Sequence, residues 1–290
     1  MYNQRTVMTT PTPLIKISAQ IYAKLETYQP TGSVKDRMVN YIVEKAIQSG
    51  DILPGVTRFV EATSGNTGIA LAAAAARLGC TCTIIMPQNM SEQRKQMMKA
   101  FGAFIFEKGD NDFAGCLELR DHILNEEKGR GKGSAWCPYQ FSNPLNVECH
   151  FRTTAPEIHK QVAELGKSWH GFAHGAGTGG TMMGIKQYFD YHSLKTKCIL
   201  TTPMESSELH GIQGINDGAD FLLNRDLMDN VVRVETSEAI ERMKRFARES
   251  GLLIGISSGA NIVTAETYIQ TFKPDGIVVT MLCDRGERYL

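Results

Sequence analysis

The chain has 290 residues, enough for one large or two modest domains with a substantial buried core. Its 31 basic and 31 acidic residues cancel, so no overall field attracts nucleic acid or an anionic membrane. No apolar run approaches the roughly 18 residues of a membrane-spanning helix, and residues 1–5 lack the apolar core of a signal peptide, so a cytoplasmic location is expected. Seven scattered cysteines without a Cys-x-x-Cys pair indicate neither a disulfide framework nor a zinc site.

Taken in chain order, Ile21-Tyr22-Ala23-Lys24-Leu25 reads as a strand and Pro30-Thr31-Gly32 as a tight turn. Ser33 reads as the cap of a helix whose apolar period runs through Val34, Met38, Tyr41 and Ile42. Lys35 then falls in the first helical turn. The helix dipole there, with any burial, disfavours the ammonium form and favours the nucleophilic amine that a Schiff-base lysine requires. A solvated helix lysine is the plainer reading of this octapeptide alone.

Strand Arg58-Phe59-Val60-Glu61 leads into a Gly-rich turn, an alanine-rich helix over 69–78 and a strand over 82–86, with Cys80 and Cys82 counted as core thiols. Ser91 caps a charged helix to about Ala100, on which Arg94, Lys95 and Lys99 are expected on a solvated face. Phe104-Ile105-Phe106 is a short strand, and the polar stretch 125–134 is expected to be a surface loop. A second alternating set starts near Phe172 and includes strands at 198–200, 231–234 and 277–279. Such alternation implies right-handed crossovers: an α/β protein of two three-layer domains with mostly parallel sheets, and a seam near residue 142 where a cleft would lie. His170 and His174 bracket a strand, where their spacing forms no helical metal face, so no metal site is expected.

Three further motifs sit at turns that open helices, where ligands of open α/β sheets bind. Thr63-Ser64-Gly65-Asn66-Thr67-Gly68 offers hydroxyls, an amide and backbone N–H groups to an anion such as a carboxylate, although such a turn is often no more than a helix start. Gly175-Ala176-Gly177-Thr178-Gly179-Gly180-Thr181 follows an apolar strand and opens a helix, as a phosphate cup would. It also satisfies G-x-G-x-x-G, but the acidic partner of that signature is poorly placed: Glu205 comes late and follows Pro203. A dinucleotide therefore stays the weaker option. Gly255-Ile256-Ser257-Ser258-Gly259-Ala260-Asn261 is expected to be another strand-to-helix turn. A Schiff-base lysine, an anion turn, a phosphate cup and a hydroxyl pair together suit pyridoxal 5′-phosphate.

These motifs resemble the cysteine synthase family, the O-acetylserine sulfhydrylases of the tryptophan-synthase-β-like class (pyridoxal-phosphate fold type II). The resemblance runs from Thr12-Pro13-Leu14 to Gly286-Glu287-Arg288-Tyr289-Leu290 with the motifs in family order, and the chain stops where family members continue. Residues 60–71, 86–91 and 283–290 look more like the B isoform. Gln140-Phe141-Ser142-Asn143-Pro144 and residues 211–215 look more like the A form. Asn216-Asp217 stands where B-type members carry arginines, which speaks against larger anionic sulfur donors such as thiosulfate.

The resemblance implies a larger cofactor-binding domain from 1–36 plus 143–290 and a smaller, mobile, substrate-gripping domain over 37–142. It implies that Lys35 holds the cofactor and later removes the substrate α-proton, that Asn66 bonds the cofactor ring oxygen, and that Gly177, Thr178, Gly179, Gly180 and Thr181 hold the phosphate. Ser257, in preference to Ser258, would face the pyridine nitrogen, where a neutral hydroxyl does not enforce protonation. Thr63, Ser64, Thr67 and Gln140 would grip the substrate carboxylate. The implied reaction is β-replacement, cysteine from O-acetylserine and sulfide through an aminoacrylate. The implied setting is a homodimer, with the C-terminal tail of serine acetyltransferase as a possible partner. An O-phosphoserine sulfhydrylase, a cystathionine β-synthase and a serine or threonine dehydratase share most of these residues. A non-catalytic binding partner and a dinucleotide-dependent oxidoreductase are the readings from other classes, and an intact Lys35 argues against both.

Overall fold

The computed structural model describes residues 10–206, 211–215 and 221–289; the Asn216-Asp217 departure lies outside them. In chain order the strands and helices are β1 (Leu14–Lys16), β2 (Ile21–Leu25), α1 (Lys35–Gln48), β3 (Arg58–Ala62), α2 (Asn66–Leu78) and β4 (Cys82–Pro87). Then come α3 (Glu92–Ala100), β5 (Phe104–Lys108), α4 (Phe113–Lys128), β6 (Ala135–Trp136), α5 (Leu145–Cys149) and α6 (Ala155–Glu164). The chain continues through β7 (Trp169–Gly175), α7 (Gly180–Tyr191), β8 (Lys197–Pro203), β9 (Asn230–Val234), α8 (Thr236–Ser250), α9 (Ile256–Phe272) and β10 (Ile277–Leu282). Two compact units result, one from residues 35–139 and the other from residues 10–34 with 140–290.

The unit over 35–139 is built on a parallel sheet in the order β5-β4-β3-β6. α4 packs on the face carrying Val60, Ala62 and Ile85, where Cys116, Ile123 and Leu124 complete an apolar cluster. α2 owes its close packing to the alanine run Ala72-Ala73-Ala74-Ala75, every member of which is buried. Small side chains also let α1 approach it, and Arg77 of α2 donates to Asn40 Oδ1 of α1 at 2.7 Å.

The other unit carries the sheet β1-β2-β10-β7-β8-β9, parallel except for the antiparallel edge strand β1. One face, with Phe172, Leu200, Val279 and Met281, is covered by Ile158 and Val162 of α6 and by Met182, Ile185 and Phe189 of α7. The opposite face, with Ile21, Ala173, Ile199 and Val278, is covered by Ala265 and Tyr268 of α9. A fully buried phenylalanine such as Phe172 contributes about 2–3 kcal/mol of apolar transfer free energy to this three-layer core. Among the described residues no helix is long and apolar enough to cross a membrane, and no cluster of three or more His, Cys, Asp or Glu forms a metal site.

Several local expectations are corrected. α1 begins at Lys35, and Ser33 lies one residue too early to be the position before it; it forms a β-bridge with Asp284. Ser91 precedes α3, but its hydroxyl turns to Gln93 Oε1 at 2.9 Å rather than to the helix backbone. Arg94 and Lys95 are buried, and Lys95 is drawn to Glu107 on β5, to Glu92 at 2.8 Å and to the Gln88 carbonyl at 2.7 Å; Lys99 alone of the three is exposed. Residues 125–128 are the last turn of α4 rather than loop. Cys82 lies in β4, while Cys80 lies in the turn before it with its thiol near the Leu53 carbonyl. No strand leads into Gly255: the segment comes from α8 through Ile254, which makes an isolated bridge to Arg285.

Candidate active site

In the larger unit the candidate residues gather at the carboxyl ends of the parallel strands. β7 ends at Gly175, and the chain crosses Ala176, Gly177 and Thr178 to Gly179, which stands at φ +88° immediately before α7. That left-handed conformation is open to glycine at no steric cost. A Cβ on Gly179 would lie 2.4 Å from the Leu223 nitrogen, and one on Gly177 would lie 2.7 Å from the Gly214 carbonyl oxygen. These glycines are thus required by neighbouring backbone as well as by any phosphate. Among the described residues the N–H groups of Gly177, Thr178, Gly179 and Thr181 have no protein acceptor. They sit at the positive end of α7, as an anion-binding turn requires.

The side chains of the cup are held from below. Thr178 Oγ1 accepts from Gly180 N–H at 3.3 Å and from the Asn146 amide at 3.0 Å, and the same amide donates to the Gln140 carbonyl at 2.9 Å. Asn146 therefore brings Gln140 and the cup together. Thr181 Oγ1 lies 3.1 Å from His150 Nε2, whose other ring nitrogen is 2.8 Å from Thr154 Oγ1, so this hydroxyl is already engaged.

The two serines at the start of α9 differ sharply. Ser258 is fully buried and its Oγ accepts from the Cys283 N–H at 2.9 Å. Ser257 Oγ makes no hydrogen bond among the described residues. Cys283 in turn accepts from the Val34 N–H at 2.8 Å, which ties the residue immediately before Lys35 to the end of β10. Segment 284–289 completes this clasp: Arg285 donates to the Thr27 carbonyl at 3.0 Å, Arg288 donates to the Thr31 carbonyl, and Tyr289 donates to Asp284 Oδ2 at 2.5 Å.

In the smaller unit, Lys35 is the first residue of α1 and half-buried. Thr63 and Thr67 are buried, Ser64 and Asn66 half-buried, and Asn66 opens α2 after Gly65. The turn is braced by Gly68 N–H to the Gly65 carbonyl at 3.1 Å and by Gly65 N–H to Thr63 Oγ1 at 3.4 Å. Beneath it, the Glu61 carboxylate accepts from Ala62 N–H at 2.8 Å and lies 3.6 Å from Arg120, whose guanidinium stacks 5.1 Å from the centre of the Tyr139 ring. Burial, then the Glu61 charge, pushes the Cys137 thiol in this cluster well up from its ordinary range.

The pyridoxal-phosphate dependent enzyme family model matches residues 6–284. A cysteine synthase of Staphylococcus aureus is 37% identical over 297 aligned residues, spanning 96% of this chain and 92% of the relative. Cysteine synthase B of Pseudomonas aeruginosa is 38% identical over 288, spanning 96% of this chain and 93% of the relative. The chain belongs to the cysteine synthase family of pyridoxal-phosphate dependent enzymes. Among solved structures, the O-acetylserine dependent cystathionine β-synthase of Helicobacter pylori is 31% identical with a TM-score of 0.86, covering 97% of this chain and 94% of that one.

The residues present fit the family's cofactor. The cup offers unused N–H donors to a phosphate, Ser257 offers a hydroxyl with no protein partner among the described residues, and Lys35 stands at a helix start joined to the Cys283 clasp. Two structural contributors were not legible beforehand. Asn146 and Asn261 are both fully buried asparagines inside helices, positions where an amide must be hydrogen-bonded, and that apolar context was the available signal.

Proposed function

We propose that this enzyme makes L-cysteine from O-acetyl-L-serine and sulfide by β-replacement. The observation that carries the reading is the linked set in the larger unit. The phosphate cup with free N–H donors, the unbonded Ser257 hydroxyl and the turn before Lys35 are joined through Asn261 and Cys283 at one end of one sheet. Pyridoxal phosphate bound there supplies an electron sink for bonds at the α-carbon of an amino acid.

The chain's residues supply the rest. Gly177, Thr178, Gly179, Gly180 and Thr181 would hold the phosphate, Asn66 would bond the ring oxygen, and Ser257 would offer a neutral partner to the ring nitrogen. Lys35 Nζ would hold the cofactor and would take the proton from the substrate α-carbon. Thr63, Ser64, Thr67 and Gln140 grip the substrate carboxylate and exclude water while acetate departs and sulfide adds at the β-carbon. The same reading makes the unit over 35–139 the substrate-gripping one, and extends to a cytoplasmic homodimer able to bind a serine acetyltransferase tail. Sedimentation and pull-down with the tail peptide test those last two points.

The deciding experiment records the visible spectrum of the purified protein. O-acetylserine should shift the cofactor band, sulfide should restore it, and mass spectrometry should find cysteine. A band indifferent to O-acetylserine but responsive to O-phosphoserine or serine refutes the leaving group. A thioether product with a thiol amino acid, and none with sulfide, refutes the nucleophile.

A further inference from the structure

We infer that Asn261 is a positioning residue for the cofactor, its amide locking the phosphate turn and the Ser257 turn into one rigid seat; this rests on the cofactor reading above. Asn261 is fully buried on α9, four residues and therefore about one turn beyond Ser257 on the same face. Its Oδ1 accepts from the Gly175 N–H at 2.8 Å, two residues before the cup's Gly177, and lies 3.4 Å from Thr201 Oγ1. Its Nδ2 lies 3.1 Å from the Met281 carbonyl, 3.1 Å from His174 Nδ1 and 3.4 Å from Cys283 Sγ.

The amide's orientation is dictated by these partners, since a flip would set NH₂ against the Gly175 N–H and oxygen against the Met281 carbonyl. One side chain therefore touches β7, β8 and β10 near their carboxyl ends. Cys283, which it contacts, donates to Ser258 beside Ser257. The consequence is specific: loss of the amide should loosen the cofactor's seat while leaving the substrate-gripping turn, which lies in the other unit, unchanged.

The test compares Asn261→Leu and Asn261→Asp with Thr264→Val. Thr264 is fully buried on the same helix, and its hydroxyl has no hydrogen bond among the described residues, so it reports simple core perturbation. Readouts are pyridoxal-phosphate affinity by titration of the apoprotein, the ³¹P resonance of the bound phosphate, the thermal midpoint, and KM for O-acetylserine at saturating cofactor. Asn261→Leu should weaken cofactor binding at least about tenfold, the effect of orphaning one buried hydrogen-bonding group. It should also broaden the ³¹P line while KM stays within about twofold of wild type. Asn261→Asp keeps the acceptor for Gly175 but faces the Met281 carbonyl with oxygen; it should show the same defect in smaller measure and carries the test if the leucine variant does not fold. Thr264→Val should bind cofactor as wild type does. Asn261 variants that lose only thermal stability, with cofactor affinity and ³¹P line unchanged, overturn the inference alone. A wild-type protein that binds no pyridoxal phosphate overturns the cofactor reading and this inference together.

Discussion

Ser257 and Ser258 are neighbours of the same chemistry with opposite expected behaviour. Ser258→Ala removes the acceptor of the buried Cys283 N–H, a 2.9 Å bond. An orphaned buried amide costs about 1–3 kcal/mol, which in a unit of this size lowers the thermal midpoint by about 2–4 °C per kcal/mol. Ser257→Ala removes no protein hydrogen bond among the described residues, so its stability should stay within about 0.5 kcal/mol of wild type. Its effect should instead fall on the cofactor, as an altered absorption maximum and a kcat/KM lower by about tenfold, the loss of one hydrogen bond to the ring. Thermal unfolding of the apoproteins and visible spectra of the holoproteins separate the two. If Ser257→Ala destabilises the apoprotein as much as Ser258→Ala, or if Ser258→Ala alone alters the spectrum, the assignment of roles is reversed.

Lys35→Ala should abolish both the lysine-linked cofactor band and turnover, read by absorption after dialysis. Gly179→Ala places a Cβ against the Leu223 backbone at a φ of +88°, so cofactor retention should fall steeply, measured by fluorescence titration. Lys24, fully buried between Glu157, the Thr12 carbonyl and Gln161 Oε1, is a stability residue: Lys24→Ala should cost about 3–5 kcal/mol in urea unfolding, because it strands buried acceptors and the Glu157 charge. Burial pushes the Cys82 and Cys198 thiols up to about 12. The folded protein therefore keeps protons that unfolded thiols lose above about pH 8.5. Their contribution is complete below that pH and declines as pH rises toward 12, by up to about 1.4 kcal/mol per pH unit for each thiol. Urea midpoints at pH 8, 9 and 10 should fall in that order, and both thiols should resist iodoacetamide in the native state.

The strands and helices that carry ligand-binding turns were legible because their local signals agree. In β7 and α7, an apolar run, a glycine cluster and a helical period follow one another, and the structure places the elements within a few residues of that reading. Where local and long-range physics diverge, the chain misleads. Lys95 reads as a solvated charge until β5 supplies Glu107, and Ser33 reads as a helix cap, whereas its neighbours Gly32 and Val34 pair with Arg285 and Cys283, far along the chain. The two-residue β6 is too short to announce itself by alternation. That Ser258 rather than Ser257 accepts from the Cys283 N–H, just beyond β10, is likewise a long-range matter that no local pattern carries.

The clasp around the lysine turn also sets an order of events in time. Arg288 reaches the Thr31 carbonyl across 257 residues of sequence, and Arg285 reaches the Thr27 carbonyl across 258. On a ribosome adding about 5–20 residues per second, the turn that delivers Lys35 emerges well before the segment that seats it exists. Loop closure over such a span is entropically slow relative to local pairing. The turn that precedes Lys35 thus waits for its long-range partners until residues 285–288 have been made, however early its own local structure forms.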